Sequence, residues 1–193
     1  MSKVVLHFSM SLDGFIAGPG VTVASPMGEG DAGLHLHDWI FEKPQDAIDA
    51  EAAEQMQAGT GAVVLGRRTF DVGIGEWKDV PYPAPCFVLT HRPQAPLAQK
   101  SGAFTFVADG IESAIAQARA AAGDRDVTVM GADTAQQALK AGLVDELKLQ
   151  VVPILMARGV RLFDRLGVDG IDLELIRQAQ SPRVTHLHYR VLK

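Results

Sequence analysis

A single cysteine, Cys86, leaves the chain without an intrachain disulfide, so its stability has to come from packing. No motif surrounds Cys86, which reads as a small buried hydrophobe rather than a nucleophile. A basic block is also missing. The 18 Lys and Arg against 23 Asp and Glu give a net charge of −5, whereas a nucleic-acid partner would call for a concentrated basic face. The apolar runs fall far short of the roughly 20 residues that span a bilayer. Met1-Ser2-Lys3 leads straight into Val4-Val5-Leu6-His7-Phe8, which is too short and broken for a signal peptide. These absences imply a cytoplasmic protein with neither a nucleic-acid nor a membrane partner. What is present is a 47% hydrophobic chain of 193 residues, enough to bury a real core in a single domain over 1–193.

Strands are expected at Val4–Met10, Ala62–Leu65, Cys86–Thr90, Phe104–Val107, Val127–Met130, Glu146–Ile154, Leu173–Gln180 and Thr185–Val191. Ala62–Leu65 and Val127–Met130 are short and nearly all apolar or β-branched, as strands buried on both faces should be. The last two strands are joined through Ser181-Pro182 and read as an antiparallel hairpin closing one edge.

Three helices separate the middle strands. Asp46–Ala58 places Ile48, Ala52 and Met56 on one stripe, with Gly59 as the stop. Asp109 is positioned to cap the second helix, with Glu112 three residues on, Ile111, Ala114, Ile115 and Ala118 inward, and Gly123 at its end. Asp133 is positioned to cap the third, with Gln136 in the same relation and Gly142 at the end. The alternation predicts an α/β fold of three α/β/α layers, a mixed sheet with antiparallel C-terminal strands. Gly18–Pro44, rich in glycine, is the longest irregular segment and is expected to be functional or mobile.

Open α/β sheets bind ligands at the carboxyl ends of their strands. Those ends carry Asp13-Gly14, then Gly66-Arg67-Arg68-Thr69, Thr90-His91-Arg92 and Gly131-Ala132-Asp133-Thr134. Two are glycine turns leading into helix N-termini, which suit a pyrophosphate. Two carry arginines, which suit a further phosphate because a guanidinium bonds it bidentately. A dinucleotide with a 2′-phosphate needs both. The alternative for Arg67 and Arg68 is a surface salt bridge.

The stretches Ser9-Met10-Ser11-Leu12-Asp13-Gly14-Phe15-Ile16-Ala17, Val64-Leu65-Gly66-Arg67-Arg68-Thr69-Phe70, Ala141-Gly142-Leu143-Val144-Asp145-Glu146-Leu147, Val152-Pro153-Ile154-Leu155 and Gly159-Val160-Arg161-Leu162-Phe163 follow one another in a familiar order. In these the chain resembles the dihydrofolate reductase-like reductases, which include the reductase domain of bacterial riboflavin biosynthesis. It looks most like a single-domain branch with no attached deaminase. The resemblance implies a dihydrofolate reductase-like sheet and an NADPH-dependent reductase acting on a small heterocyclic or sugar-linked substrate of pterin, pyrimidine or flavin-precursor type. It further implies Ile16 and Ala17 near the nicotinamide and phosphates on Gly66, Arg67, Arg68 and Thr69. Thr90, His91 and Arg92 would take the 2′-phosphate end, and Gly131, Ala132, Asp133 and Thr134 the pyrophosphate. A homodimer is implied too, with the C-terminal strands as its interface.

Two positions depart from the family. Met130 stands where a glycine is common, either crowding the cofactor or packing beneath it, and Ala157-Arg158-Gly159 replaces a glycine-richer turn. If Met130 closes the site, the alternative is a non-catalytic nucleotide or small-ligand binding protein on the same fold. Asp13 is the candidate catalytic group, although Asp13-Gly14 is also an ordinary turn. Phe15, Trp39 and Trp77 are the candidate substrate contacts, with core packing as the alternative for both tryptophans. His35/His37 and His186/His188 have a spacing that puts each pair on one strand face. Without a third ligand or a cysteine, neither pair makes a metal site.

Overall fold

Ala62, Val63, Val64 and Leu65 are all fully buried, which requires a layer on each side of their strand. In the computed structural model, which describes residues 2–77, 84–99, 102–167 and 169–193, that strand is β3 (Thr60–Gly66). It lies within a nine-stranded mixed sheet. The parallel part runs β8 (Glu146–Val152), β1 (Val4–Ser11), β7 (Asp126–Met130), β3, β4 (Cys86–Leu89) and β6 (Gly102–Val107). The antiparallel hairpin of β10 (Leu173–Gln180) and β11 (Thr185–Val191) joins through β11 to β8, and β5 (Leu97–Gln99) pairs antiparallel with β6 at the other edge.

One face of the sheet is covered by α5 (Ile111–Ala122) and α6 (Ala132–Lys140). Their Ala114, Ile115, Ala118, Ala135, Ala138 and Leu139 pack on Val4, Leu6, Val64, Val127 and Val129. The small alanines let both helices approach the β-branched floor closely, and each buried Val or Leu adds about 1.5–3 kcal/mol. On the other face, α4 (Arg67–Trp77) sets Phe70 against Val63, Leu65, Cys86, Val88 and Phe104. Cys86 is part of this core, and burial pushes its thiol pKa up to about 12.

The structure corrects several expectations. Both expected aspartate caps are displaced by one or two residues. Gly110 (φ +96°) and Gly131 (φ +88°) occupy the N-caps of α5 and α6, and neither cap has a side-chain hydrogen bond. Only glycine adopts these backbone angles without strain, so geometry overrides the capping preference of aspartate. Asp133 instead sits in the first turn of α6 and accepts a bond from Gln137 Nε2 (2.7 Å). Gly18–Pro44 contains two short helices, α1 (Ala32–His35) and α2 (Asp38–Phe41), so His35 and His37 share no strand.

In α3 (Ala47–Gly59), capped by Asp46 through the N–H of Ile48 (2.8 Å), the apolar stripe is only half inward. Ile48 is 36% exposed, whereas Asp49 is fully buried. The reason lies beneath it, where the sheet offers polar groups and His186 Nε2 meets Asp49 Oδ1 at 2.8 Å. A small second sheet, unforeseen from sequence, pairs β2 (Phe15–Ala17) with β9 (Val160–Arg161).

Candidate functional site

Three strand-to-helix turns open on glycine at one end of the parallel sheet: Gly66 before α4, Gly110 before α5 and Gly131 before α6. Without a side-chain cap, the first N–H groups of α5 and α6 stay available to an outside acceptor, and each helix dipole adds partial positive charge. The three turns surround a cleft of about 630 Å³. Gly66, Arg67, Arg68, Thr69, Thr90, His91, Arg92, Gly131, Ala132, Asp133 and Thr134 all line it. Residues far apart in the chain meet there because β3, β4 and β7 run parallel and end at one level.

The arginines of the cleft differ in how far they are committed. Arg67 Nε bonds Asp71 Oδ1 (2.7 Å), its Nη1 donates to Gln94 Oε1 (3.2 Å), and its guanidinium lies 5.6 Å from the ring centres of Phe70 and Phe106. It is therefore held as part of the wall. Arg92 has a side chain 73% exposed and, among the described residues, only a loose ion contact, to Asp71 Oδ2 (3.6 Å). Its backbone N–H is fixed by Thr90 Oγ1 (3.0 Å), so the chain is positioned while the guanidinium stays available. Arg68 is exposed on the same wall.

Two further arginines, Arg161 and Arg165, line the cleft and were not singled out from sequence. Arg161 sits 4.4 Å over the ring of Phe15 and donates from Nη1 to Asp13 O (3.1 Å). Gln136 of α6 secures the same segment by donating to Arg161 O and Leu162 O (3.1 Å each). The signal was present in Gly159-Val160-Arg161, but nothing in the sequence shows that this segment pairs with β2 and so faces the cleft. Ile16 and Ala17 lie one strand behind it and are not among the lining residues.

Asp13 is engaged by the chain itself. Its Oδ1 accepts from Ser11 Oγ (2.7 Å) and Met156 N (3.1 Å), and its Oδ2 from Ala157 N (2.8 Å). The Ser11 hydroxyl, aided by these N–H groups, draws its pKa down to about 2. Trp39 is 2% exposed and donates from Nε1 to Ser9 Oγ (2.9 Å). Phe15 is 4% exposed, and the Trp77 ring stacks with Phe104 at 6.4 Å. None of these three rings lines the cleft. Met130 packs beneath it with Val63, Leu65 and Phe70 rather than intruding. Among the described residues, no cluster of three or more His, Cys, Asp or Glu is arranged to hold a metal ion.

The family model of the RibD C-terminal domain matches residues 2–187. The chain belongs to the RibD C-terminal domain family. The Bacillus subtilis (strain 168) protein YwjB is 24% identical over 188 residues, which are 97% of each chain. A putative riboflavin biosynthesis protein from Shewanella sp. PV-4 superposes with a TM-score of 0.74 at 25% identity, covering both chains fully. Dihydrofolate reductase from Enterococcus faecalis complexed with NADP(H) gives a TM-score of 0.59 at 13% identity, over 99% of this chain and 97% of that one. The fold is thus dihydrofolate reductase-like, and the RibD C-terminal domain family is a family of reductase-like domains. Among the described residues, no helix is long and apolar enough to cross a membrane.

Proposed function

We propose that the chain is an NADPH-dependent reductase that delivers hydride to a small heterocyclic or sugar-linked substrate of pterin, pyrimidine or flavin-precursor type. The observation that carries this reading is the convergence of glycine-opened helix N-termini with the lightly held Arg92 and exposed Arg68 in one cleft. Anions gain at such helix starts, and a 2′-phosphate is matched by a guanidinium not consumed by an internal carboxylate.

The residues fit the dinucleotide in distinct roles. The first turns of α4 and α6 would hold the pyrophosphate, with Gly66 and Gly131 making room for the Thr134 and Thr69 hydroxyls between the two helix starts. Arg92 and Arg68 would take the 2′-phosphate, with Thr90 fixing the backbone of Arg92. Arg161, held by Phe15 and Asp13, would close the opposite wall. Bound there, the reduced nicotinamide supplies the hydride, and the protein's task is to position donor and acceptor. Asp13 acts by anchoring the 156–161 segment rather than by proton transfer. A second copy of the chain is the partner we propose for edge strand β10, where Leu173, Leu175 and Ile176 are 41%, 50% and 41% exposed.

Calorimetric titration with NADPH and NADH tests the reading. NADPH should bind tighter than NADH by about tenfold or more, a difference of roughly 1.4 kcal/mol. Equal affinity for the two, or no binding of either, would overturn it.

A further inference from the structure

Gln136, expected from sequence to close a capping box with Asp133, turns to β9 instead. Its Nε2 donates to Arg161 O and to Leu162 O, both at 3.1 Å, so both N–H groups of the amide are spent on one segment. Ala132, the first residue of α6, lies four residues earlier, roughly 6 Å along the helix axis. The amide thereby ties the backbone of Arg161 to the helix start, and all three residues line the arginine cleft.

β2 and the turn before it hold the other side of this segment. Leu162 is fully buried and donates its N–H to Gly14 O (3.0 Å). The Arg161 guanidinium rests 4.4 Å over the ring of Phe15, a buried platform, and donates from Nη1 to Asp13 O (3.1 Å). Its charge, however, is unanswered. Arg67 and Arg92 both reach Asp71, and Arg165 reaches Asp164 at 3.7 Å, whereas Arg161 meets no carboxylate among the described residues. One carbonyl and one ring occupy it, which leaves most of its five N–H donors to an outside acceptor. A guanidinium ordered in advance and lacking a counter-ion suits an anion, because little side-chain freedom is left to lose on binding.

We propose that Gln136 is a positioning residue that aims Arg161 at a pyrophosphate bound against the start of α6. On the dinucleotide reading of the cleft, on which this inference rests, that pyrophosphate belongs to NADPH. Gln136 does not touch the phosphates. It sets where β9 carries Arg161 relative to α6, so that helix N–H groups and guanidinium meet one anion together. Without the amide, β9 keeps its pairing to β2, but Arg161 loses its register with the helix start.

The test is a double-mutant cycle on the full chain, with NADPH and inorganic pyrophosphate titrated calorimetrically against wild type, Gln136→Met, Arg161→Ala and the double variant. Gln136→Met preserves length and neutrality while removing both donors. Arg161→Ala should weaken both ligands by about tenfold, Gln136→Met by about fivefold, and the double variant no more than Arg161→Ala alone. The Nε–H resonance of Arg161, displaced by the Phe15 ring in the wild type, should move toward that of free arginine in unliganded Gln136→Met. Gln136→Asn, whose amide falls one methylene short, should reproduce both effects and decides the matter if the first variant does not fold. Additive losses, an unmoved resonance, or unchanged affinity in Arg161→Ala would overturn the inference and leave the dinucleotide reading standing. Non-additive losses for pyrophosphate without any NADPH binding would uphold the pairing of Gln136 with Arg161 and overturn that reading. Binding of neither ligand to the wild type would overturn both.

Discussion

The hydroxyl of Thr69, in the first turn of α4, stands 2.6 Å from the point a Cβ would occupy on Gly131, the N-cap of α6. The relation is reciprocated, since Thr134 Oγ1 of α6 lies 2.8 Å from the corresponding point on Gly66. Two helices on opposite faces of the sheet therefore lock their starts together across adjacent strand ends, and each lock requires a glycine.

Gly131→Ala tests this lock. The new methyl meets Thr69, and φ +88° costs a non-glycine residue roughly 1–2 kcal/mol even in open space. Thermal unfolding should report at least that loss, and NADPH affinity should fall by about tenfold or more as the start of α6 shifts. Unchanged affinity would show that the α6 N-terminus does not contact the dinucleotide.

Arg92→Ala should weaken NADPH far more than NADH, by roughly 1.5–3 kcal/mol for a lost charged hydrogen bond. Stability should hardly change, because among the described residues the only ion contact of Arg92 is the loose one to Asp71. Calorimetric titrations of both nucleotides against wild type and variant decide the point. Equal weakening of both would sink the 2′-phosphate assignment.

Asp13 predicts an acid-limb effect of definite sign. Its folded pKa of about 2 lies below the ordinary 3.8, so the carboxylate adds stability above pH ~4 and loses it as the pH falls toward 2. Melting temperatures from pH 7 to pH 2 should decline more steeply for the wild type than for Asp13→Asn, with the variant less stable at neutral pH. Parallel profiles would show that the Ser11 and backbone bonds contribute nothing.

Ala157 is one of two described non-glycine residues with positive φ, at +61°, and its N–H is the group Asp13 Oδ2 accepts. Ala157→Gly should relieve strain and raise stability by about 1 kcal/mol, provided Asp13 is intact. Gly159→Ala should do the reverse, because a methyl there strikes the carbonyl of Ala17 in β2. Chemical denaturation of the two variants measures both.

Much of the parallel sheet was legible because its strands are short apolar runs punctuated by glycine, and Ala62–Leu65 is buried on both faces as its composition demands. The cleft was legible to the same extent. Strand ends in a parallel array converge by geometry, so reading residues after each strand located Arg68, Arg92 and Gly131 together. The rest depended on long-range pairing. Nothing local shows that Arg161 reaches Phe15, or that Met130 turns beneath the cleft rather than into it. The capping positions misled because Asp109 and Asp133 carry the usual side-chain signal, while the backbone angles needed there belong to Gly110 and Gly131. Asp49 was hidden for another reason: its burial follows from His186, on a strand formed almost at the end of the chain.

The place of β1 has a consequence for the chain's manufacture. Although it is synthesised before the other described strands, its partners are β7 and β8, with Val4 beside Val127 and Val5 beside Glu146. At ribosomal speeds the partners arrive on the order of ten seconds later. During that interval Val4-Val5-Leu6 has no sheet to enter, and the long loop it must finally close makes this pairing entropically expensive and slow. The β1 segment thus stays unpaired until residues 146–152 have been made, and a chaperone that shields Val4–Ser11 until then is expected to raise the yield of folded protein.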